Sequence, residues 1–171
     1  MLLDTNVYIS REDNQPLRAN LQYLFVRLSD TGVHVLVHPR CLEELMGDKD
    51  ATRREIVLSK IGAYTLLESP PSPVGDEAFL KWLRRPGSKN DEIDIALLYA
   101  VFRKSVDFLI TEDKDLVTRS AKVGLSERVL SVDNALRVFG RRVTQRELTL
   151  PPALKDLPLS SLNLSDPSST H

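Results

Sequence analysis

The sequence predicts an α/β sandwich built on a mainly parallel sheet. Three observations carry that expectation. Short apolar runs alternate along the chain with longer segments of helical periodicity, the pattern of repeated strand–helix units. The apolar runs are short and rich in branched residues, which suits strands covered on both faces. A chain of 171 residues, 42% hydrophobic and 27% charged, is long enough for one domain with a substantial core.

The elements follow in order. Met1–Asp4 opens with an apolar run that must end almost at once in a loop. Pro16 to Leu28 carries Leu17, Leu21, Leu24, Phe25 and Leu28 at helical spacing. Val33–Val37 is the second strand candidate. Pro39 suits the first turn of a short helix running to about Gly47, and Asp50 can cap a further helix reaching about Gly62. Tyr64–Leu67 is the third strand candidate. Asp76–Arg85 and Asn90–Lys104 read as two helices split by Pro86–Gly87–Ser88, with Trp82 expected in the core. Phe108–Thr111 and Val129–Val132 complete the strands. From Leu150 onward Pro151, Pro152, Pro158 and Pro167 mix with serines, which reads as an extended segment. The expected division is a domain over 1–145 and a proline- and serine-rich tail or linker over 146–171.

Composition limits the function classes. Cys41 is the only cysteine, so neither an internal disulfide nor a cysteine zinc cluster can form; the expectation is a small buried filler and a cytoplasmic setting. MLLDTNVYIS lacks the basic and long apolar regions of a signal peptide. No apolar run approaches the roughly 20 residues needed to cross a bilayer, so no membrane partner is expected. The net charge of −1 gives no global basic field for nucleic acid. It counts only weakly against a nuclease, because an acidic metal site cancels basic residues elsewhere.

In open parallel sheets, sites form in loops at the carboxyl ends of strands. Two such ends carry acids here: Asp4, and Asp113 with Asp115. Strand order is not legible, but the first and fourth strands could be neighbours. Asp91 and Asp94, at i and i+3, lie near one face at the start of their helix. Glu43 and Glu44 lie on the helix after Val33–Val37. Carboxylates gathered together repel and raise one another's pKa unless a cation sits among them. Hard oxygen ligands suit Mg²⁺ or Mn²⁺, and such ions favour phosphodiester hydrolysis.

Each acid also has an ordinary reading. Asp4 can form a turn or cap a helix. Asp91, just after the capping candidate Asn90, favours the helix dipole. Asp113 and Asp115 can cap the helix that follows them, and Glu43 and Glu44 can form a solvated face. Asp94 stands out because Ile93, Ile95, Ala96, Leu97 and Leu98 surround it. With Leu42, Leu45 and Met46 taken as the buried stripe, Glu43 flanks it and Glu44 is nearly opposite, which leaves the choice between them open.

The chain resembles PIN-domain proteins. The likeness lies in DTN (Asp4–Asn6) after the first strand, the pair Glu44–Leu45, and IDIALLYAVFRKSVDFLITEDKDL (Ile93–Leu116), and it extends from Met1 to about Phe139. It implies a three-layer α/β/α fold and a Mg²⁺- or Mn²⁺-dependent ribonuclease. Asp4, Glu44, Asp94 and Asp113 would be its catalytic acids, with Asp4, Asp94 and Asp113 on the metal. Thr111, Asn6, Asp115 and Asp91 would support them. Many small members are toxins paired with antitoxins and often dimeric, so an antitoxin and a homodimer are implied partners. The extended middle (Asp50–Ser88) and the tail depart from the shortest toxins, and the tail resembles linkers to a second domain.

RNA needs positive charge, and Arg11, Arg40, Arg84, Arg85, Lys89 and Lys114 are available. Arg84, Arg85 and Lys89 flank the loop leading to Asp94 and form the preferred patch. Tyr8, Tyr99 and Trp82 are the few aromatics available for stacking. His34 and His38 alternate along a strand-like run and give no metal-ligand signal. Three functions follow, in descending order: an endoribonuclease, a non-catalytic interaction or regulatory module binding protein or RNA, and a phosphatase using Asp4 as nucleophile. The last lacks an Asp-x-Asp pattern.

Overall fold

A computed structural model describes residues 1–12, 18–83 and 87–140. Five strands form one sheet: β1 (Leu2–Leu3), β2 (Leu36–Val37), β3 (Thr65–Leu66), β4 (Leu109–Ile110) and β5 (Val129–Leu130). All neighbours are parallel, in the order β3-β2-β1-β4-β5. Among the described residues eight helices flank it: α1 (Thr5–Glu12), α2 (Ala19–Asp30), α3 (Pro39–Met46), α4 (Ala51–Ile61), α5 (Glu77–Trp82), α6 (Lys89–Phe102), α7 (Lys114–Lys122) and α8 (Val132–Gly140). The architecture is a three-layer α/β/α sandwich. The helices pack in two groups, α2 on α8, and α3 against α4 and α6 with α1 beside them.

The topology decides where a site can form. The chain lays β1, β2 and β3 outward in one direction, then returns to place β4 on the other side of β1. Crossovers on either side of β1 and β4 leave a crevice at the carboxyl ends of those two strands, where ligands of open α/β sheets bind. The junction is tightly drawn, with the Asp4 amide donating to the Ile110 carbonyl at 2.9 Å. Leu2, Leu3, Leu109 and Ile110 are fully buried, so the crevice stands on close-packed core.

The sequence expectations hold for most elements, and the departures have physical reasons. β3 is an edge strand with both residues exposed, unlike the covered strand expected at Tyr64–Leu67. Helix α1 directly follows Asp4, where the sequence had offered either a turn or a helix. Helix α8 starts at Val132, which the apolar run Val129–Val132 had assigned to a strand. Pro39 and Asp50 behave as expected: Pro39 opens α3, and Asp50 caps α4 by accepting the Arg53 amide. Ser88, not Asn90, caps α6. Trp82 ends α5 and is 63% exposed, not in the core, while Tyr8 and Tyr99 are buried and unavailable for base stacking. The start of the expected Pro16–Leu28 helix and the tail at 146–171 lie outside the described residues.

Candidate carboxylate site

Asp4 follows β1 directly, and its buried carboxylate has hydrogen bonds on both oxygens. Oδ1 accepts the Thr5 amide at 2.7 Å; Oδ2 accepts the Thr111 hydroxyl at 2.6 Å and Asn6 Nδ2 at 2.8 Å. The same Thr111 hydroxyl accepts the Asp113 amide at 2.9 Å, so one oxygen ties the β1 acid to the loop after β4. Asn6 Oδ1 accepts the Glu112 amide at 3.3 Å, a second strap between the same two loops. Asp113 caps α7, its Oδ1 accepting the amides of Asp115 and Leu116.

Asp94 enters from α6, a helix buried on nearly all sides from Ile93 to Val101. Desolvation pushes the Asp94 carboxyl up to about 7, with Asp4 and Asp113 adding repulsion and Arg119 opposing. Asp4 is pushed up to about 6, chiefly by burial and further by Glu44 and Asp113, against the pull of its Thr111 and Thr5 hydrogen bonds. Each of these acids feels others of the set, so folding brings Asp4, Glu44, Asp94 and Asp113 into one electrostatic neighbourhood.

Helix α3 separates Glu44 from Glu43. The buried residues of α3 are Cys41 and Leu45, and Met46 is 59% exposed, contrary to the stripe assumed from sequence. Recentring on Cys41 and Leu45 places Glu43 about 180° from the stripe and Glu44 only about 80° from it, at 100° per residue. Glu43 accordingly pairs with Arg40 at 3.0 Å on the outer side, while Glu44 bears on Asp4 and on Cys41.

Sequence reasoning missed one residue. Arg119, on α7, donates to Asp91 Oδ1 at 3.0 Å and to Asp94 Oδ2 at 2.5 Å, with only 20% of its side chain exposed. The i, i+3 spacing of the two acids does put them on one face, and this guanidinium bridges them. On its own helix Arg119 has Asp115 at i−4, a spacing that fits a surface pair and says nothing of Asp91 or Asp94.

No family model, curated protein or solved structure matches the chain.

The remaining candidates divide clearly. The Asp91 carboxyl lies below the usual range, held first by the Gly87 amide, then by the Ser88 hydroxyl, with Arg119 adding to both. It thus serves the start of α6 as well as Arg119. Asp115 lends its amide to Asp113, but its own side chain is exposed. Lys89 is exposed at the start of α6, whereas Arg84 and Arg85 lie outside the described residues. Arg11 lies over the Phe25 ring at 3.6 Å and pairs with Glu12, and Arg40 is taken by Glu43. Cys41 is the buried filler expected. His34 is exposed and His38 is buried, its Nδ1 accepting the Arg40 amide at the start of α3 and burial lowering its pKa to about 4.

A cavity of about 520 Å³ lies away from the four acids, lined by Glu43 and not Glu44, and by His38, Pro70–Pro73, Ile95 and Ala96. None of the four acids lines it.

The four acids offer only oxygen donors, which fits a hard divalent ion in kind. In their present positions, no three His, Cys, Asp or Glu side chains among the described residues form a group able to hold one. The positive charge beside Asp94 is Arg119. Among the described residues, no helix is long and apolar enough to cross a membrane.

Proposed function

We propose that this chain is a PIN-like, divalent-metal-dependent endoribonuclease that hydrolyses RNA phosphodiester bonds at Asp4, Glu44, Asp94 and Asp113. One observation carries the reading: at the switch point of a parallel sheet, Asp4 after β1 and Asp94 on α6 are both pushed up, first by desolvation and then by neighbouring acids of the same set. Such an arrangement costs stability, and a function that needs a cation accounts for its being there.

In this reading Asp4, Asp94 and Asp113 hold Mg²⁺ or Mn²⁺, with Glu44 beside them. The ion would supply Lewis acidity toward the phosphodiester and lower the pKa of water for its hydrolysis. The residues of the chain do the positioning. Thr111 and Asn6 fix the Asp4 carboxylate by two hydrogen bonds to Oδ2, leaving little rotational freedom to lose on binding. Asp113 has its Oδ1 committed to α7, and the helix sets the direction of the free Oδ2. Lys89, exposed at the start of α6, would offer positive charge to the RNA backbone, with Arg84 and Arg85 a few residues before it in sequence. RNA over DNA, a cytoplasmic toxin with its antitoxin, a fused domain beyond the tail and a homodimer all remain parts of the proposal that rest on the PIN resemblance.

A second reading is a PIN-like module without catalysis that binds protein or RNA, and a specific feature favours it: Asp94 already has a cationic partner in Arg119. The two readings part on one experiment. Purified full-length chain, incubated with single-stranded RNA and Mn²⁺, is expected to cleave it, with cleavage abolished by chelator and lost in Asp4→Asn and Asp94→Asn proteins that keep their circular dichroism. Cleavage undiminished in both variants rejects the site, and no cleavage together with no calorimetric Mn²⁺ binding favours the module.

A further inference from the structure

Arg119 makes two contacts that differ in how easily each can be given up. On one side is Asp91, which also accepts the Gly87 amide and the Ser88 hydroxyl, both at 3.0 Å. That carboxylate stays in place whatever Arg119 does. On the other side is Asp94, whose side chain accepts from no other group among the described residues. The two contacts use different nitrogens and different carboxylates, so one can break while the other persists. Asp94 in turn feels Asp4 and Asp113 across the crevice.

We propose that Arg119 is a stand-in cation: it holds Asp94 until a divalent ion arrives, yields that carboxylate to the ion, and stays tethered through Asp91 as a phosphate-binding residue for the RNA. The inference rests on the nuclease reading above. Three physical points support it. A divalent ion has twice the charge of a guanidinium in a smaller volume, so a carboxylate facing two others gains more from it. Guanidinium is weakly hydrated and exchanges a carboxylate for a phosphate oxygen of similar geometry, since both offer paired acceptors to its donors. And Arg119 is largely buried beside the acids, where a released N–H has few other acceptors.

The alternative is that Arg119 only ties α6 to α7. The two roles predict different signs. Full-length wild-type, Arg119→Gln and Arg119→Lys proteins are titrated with MnCl₂ by calorimetry at neutral pH. Each Mn²⁺-loaded protein is then titrated with an RNA oligonucleotide whose bridging oxygens at phosphorus are replaced by methylene groups, which keeps the phosphoryl charge and leaves no oxygen to depart in hydrolysis. Arg119→Gln is expected to bind Mn²⁺ about tenfold more tightly, as removal of one competing charge-assisted contact allows, and the oligonucleotide about tenfold more weakly. Arg119→Lys cannot bridge both acids and should move both affinities in the same directions by less, which keeps the test valid if the glutamine variant does not fold. Equal or weaker Mn²⁺ binding in the folded variants overturns the stand-in role. Tighter Mn²⁺ binding with unchanged oligonucleotide binding overturns the phosphate role. No Mn²⁺ binding by any of the three proteins overturns the nuclease reading itself, and this proposal with it.

Discussion

Two aspartates in this molecule sit against an arginine, and they titrate in opposite directions. Asp48, in the turn before α4, takes a two-pronged contact from Arg53, Nε at 2.7 Å and Nη2 at 2.8 Å, and the Asp50 amide at 3.0 Å. Those hydrogen bonds, Arg53 first, hold it down at about 2. Asp94 has an arginine contact at least as short, yet it is pushed up to about 7. The partner is the same kind of group, but Asp94 accepts one N–H from it where Asp48 accepts two and a backbone amide besides, and the neighbouring charges differ. Around Asp48, two N–H groups of Arg53 and the Asp50 amide outweigh the desolvation that opposes ionisation. Around Asp94, burial and the facing Asp4 and Asp113 outweigh one guanidinium. An acid–arginine pair is thus a brace where hydrogen bonding wins and a stressed group where desolvation and neighbouring acids win.

The contrast is broken most directly by activity. Asp94→Asn should lower Mn²⁺-dependent RNA cleavage by on the order of 10²- to 10³-fold, the scale for removing one charge-stabilising group at a reacting centre. Asp48→Asn should leave the rate unchanged while lowering the melting temperature. Equal losses from both would erase the distinction.

The pH dependence of stability sharpens it. For Asp94 the folded pKa lies above the unfolded value of 3.8, so the folded state binds the proton more tightly. Between about pH 4 and about pH 7 the metal-free protein therefore loses stability as pH rises. Asp94→Asn escapes that loss, and its advantage over wild type should grow across this window to a few kcal/mol, at about 1.4 kcal/mol per tenfold change in proton affinity. Asp48 has the reverse sign: its contribution is present above 3.8 and fades as pH falls toward about 2. Thermal melts of both variants from acid to neutral pH check the pair, and parallel curves would contradict it.

The smallest effect is at Thr111, whose hydroxyl touches Asp4 and the Asp113 amide. Thr111→Val keeps the shape and removes that link. Calorimetry should show Mn²⁺ binding about 10-fold weaker, as for an outer partner of a metal ligand, with stability lower by about 1 kcal/mol. Unchanged Mn²⁺ binding would make Asn6 alone sufficient to orient Asp4.

Much of this was legible before the fold. Short branched runs marked all five strands, and Pro39 and Asp50 marked helix starts, because local sterics and capping act over a few residues. Asp94 was conspicuous as an acid inside an apolar run, and Asp4 and Asp113 as acids after strands. Glu44 could not be separated from Glu43 by periodicity, since exposed Met46 had been counted in the buried stripe and the count turned the helix the wrong way. Arg119 gave no usable sign: nothing within α7 says that its neighbours lie 25 and 28 residues earlier in the chain.

The sequence by itself determined the alternation of strands and helices, the parallel sheet, and which acids stand where strands end. Those are consequences of local periodicity and chain connectivity. Only the tertiary structure decided that β1 lies beside β4, that Thr111 bonds to Asp4, and that a guanidinium meets Asp94. Each joins residues more than 20 apart in sequence. Such contacts depend on how helices and strands pack against one another, and desolvation, which sets the charge state of the acids, exists only after that packing is complete.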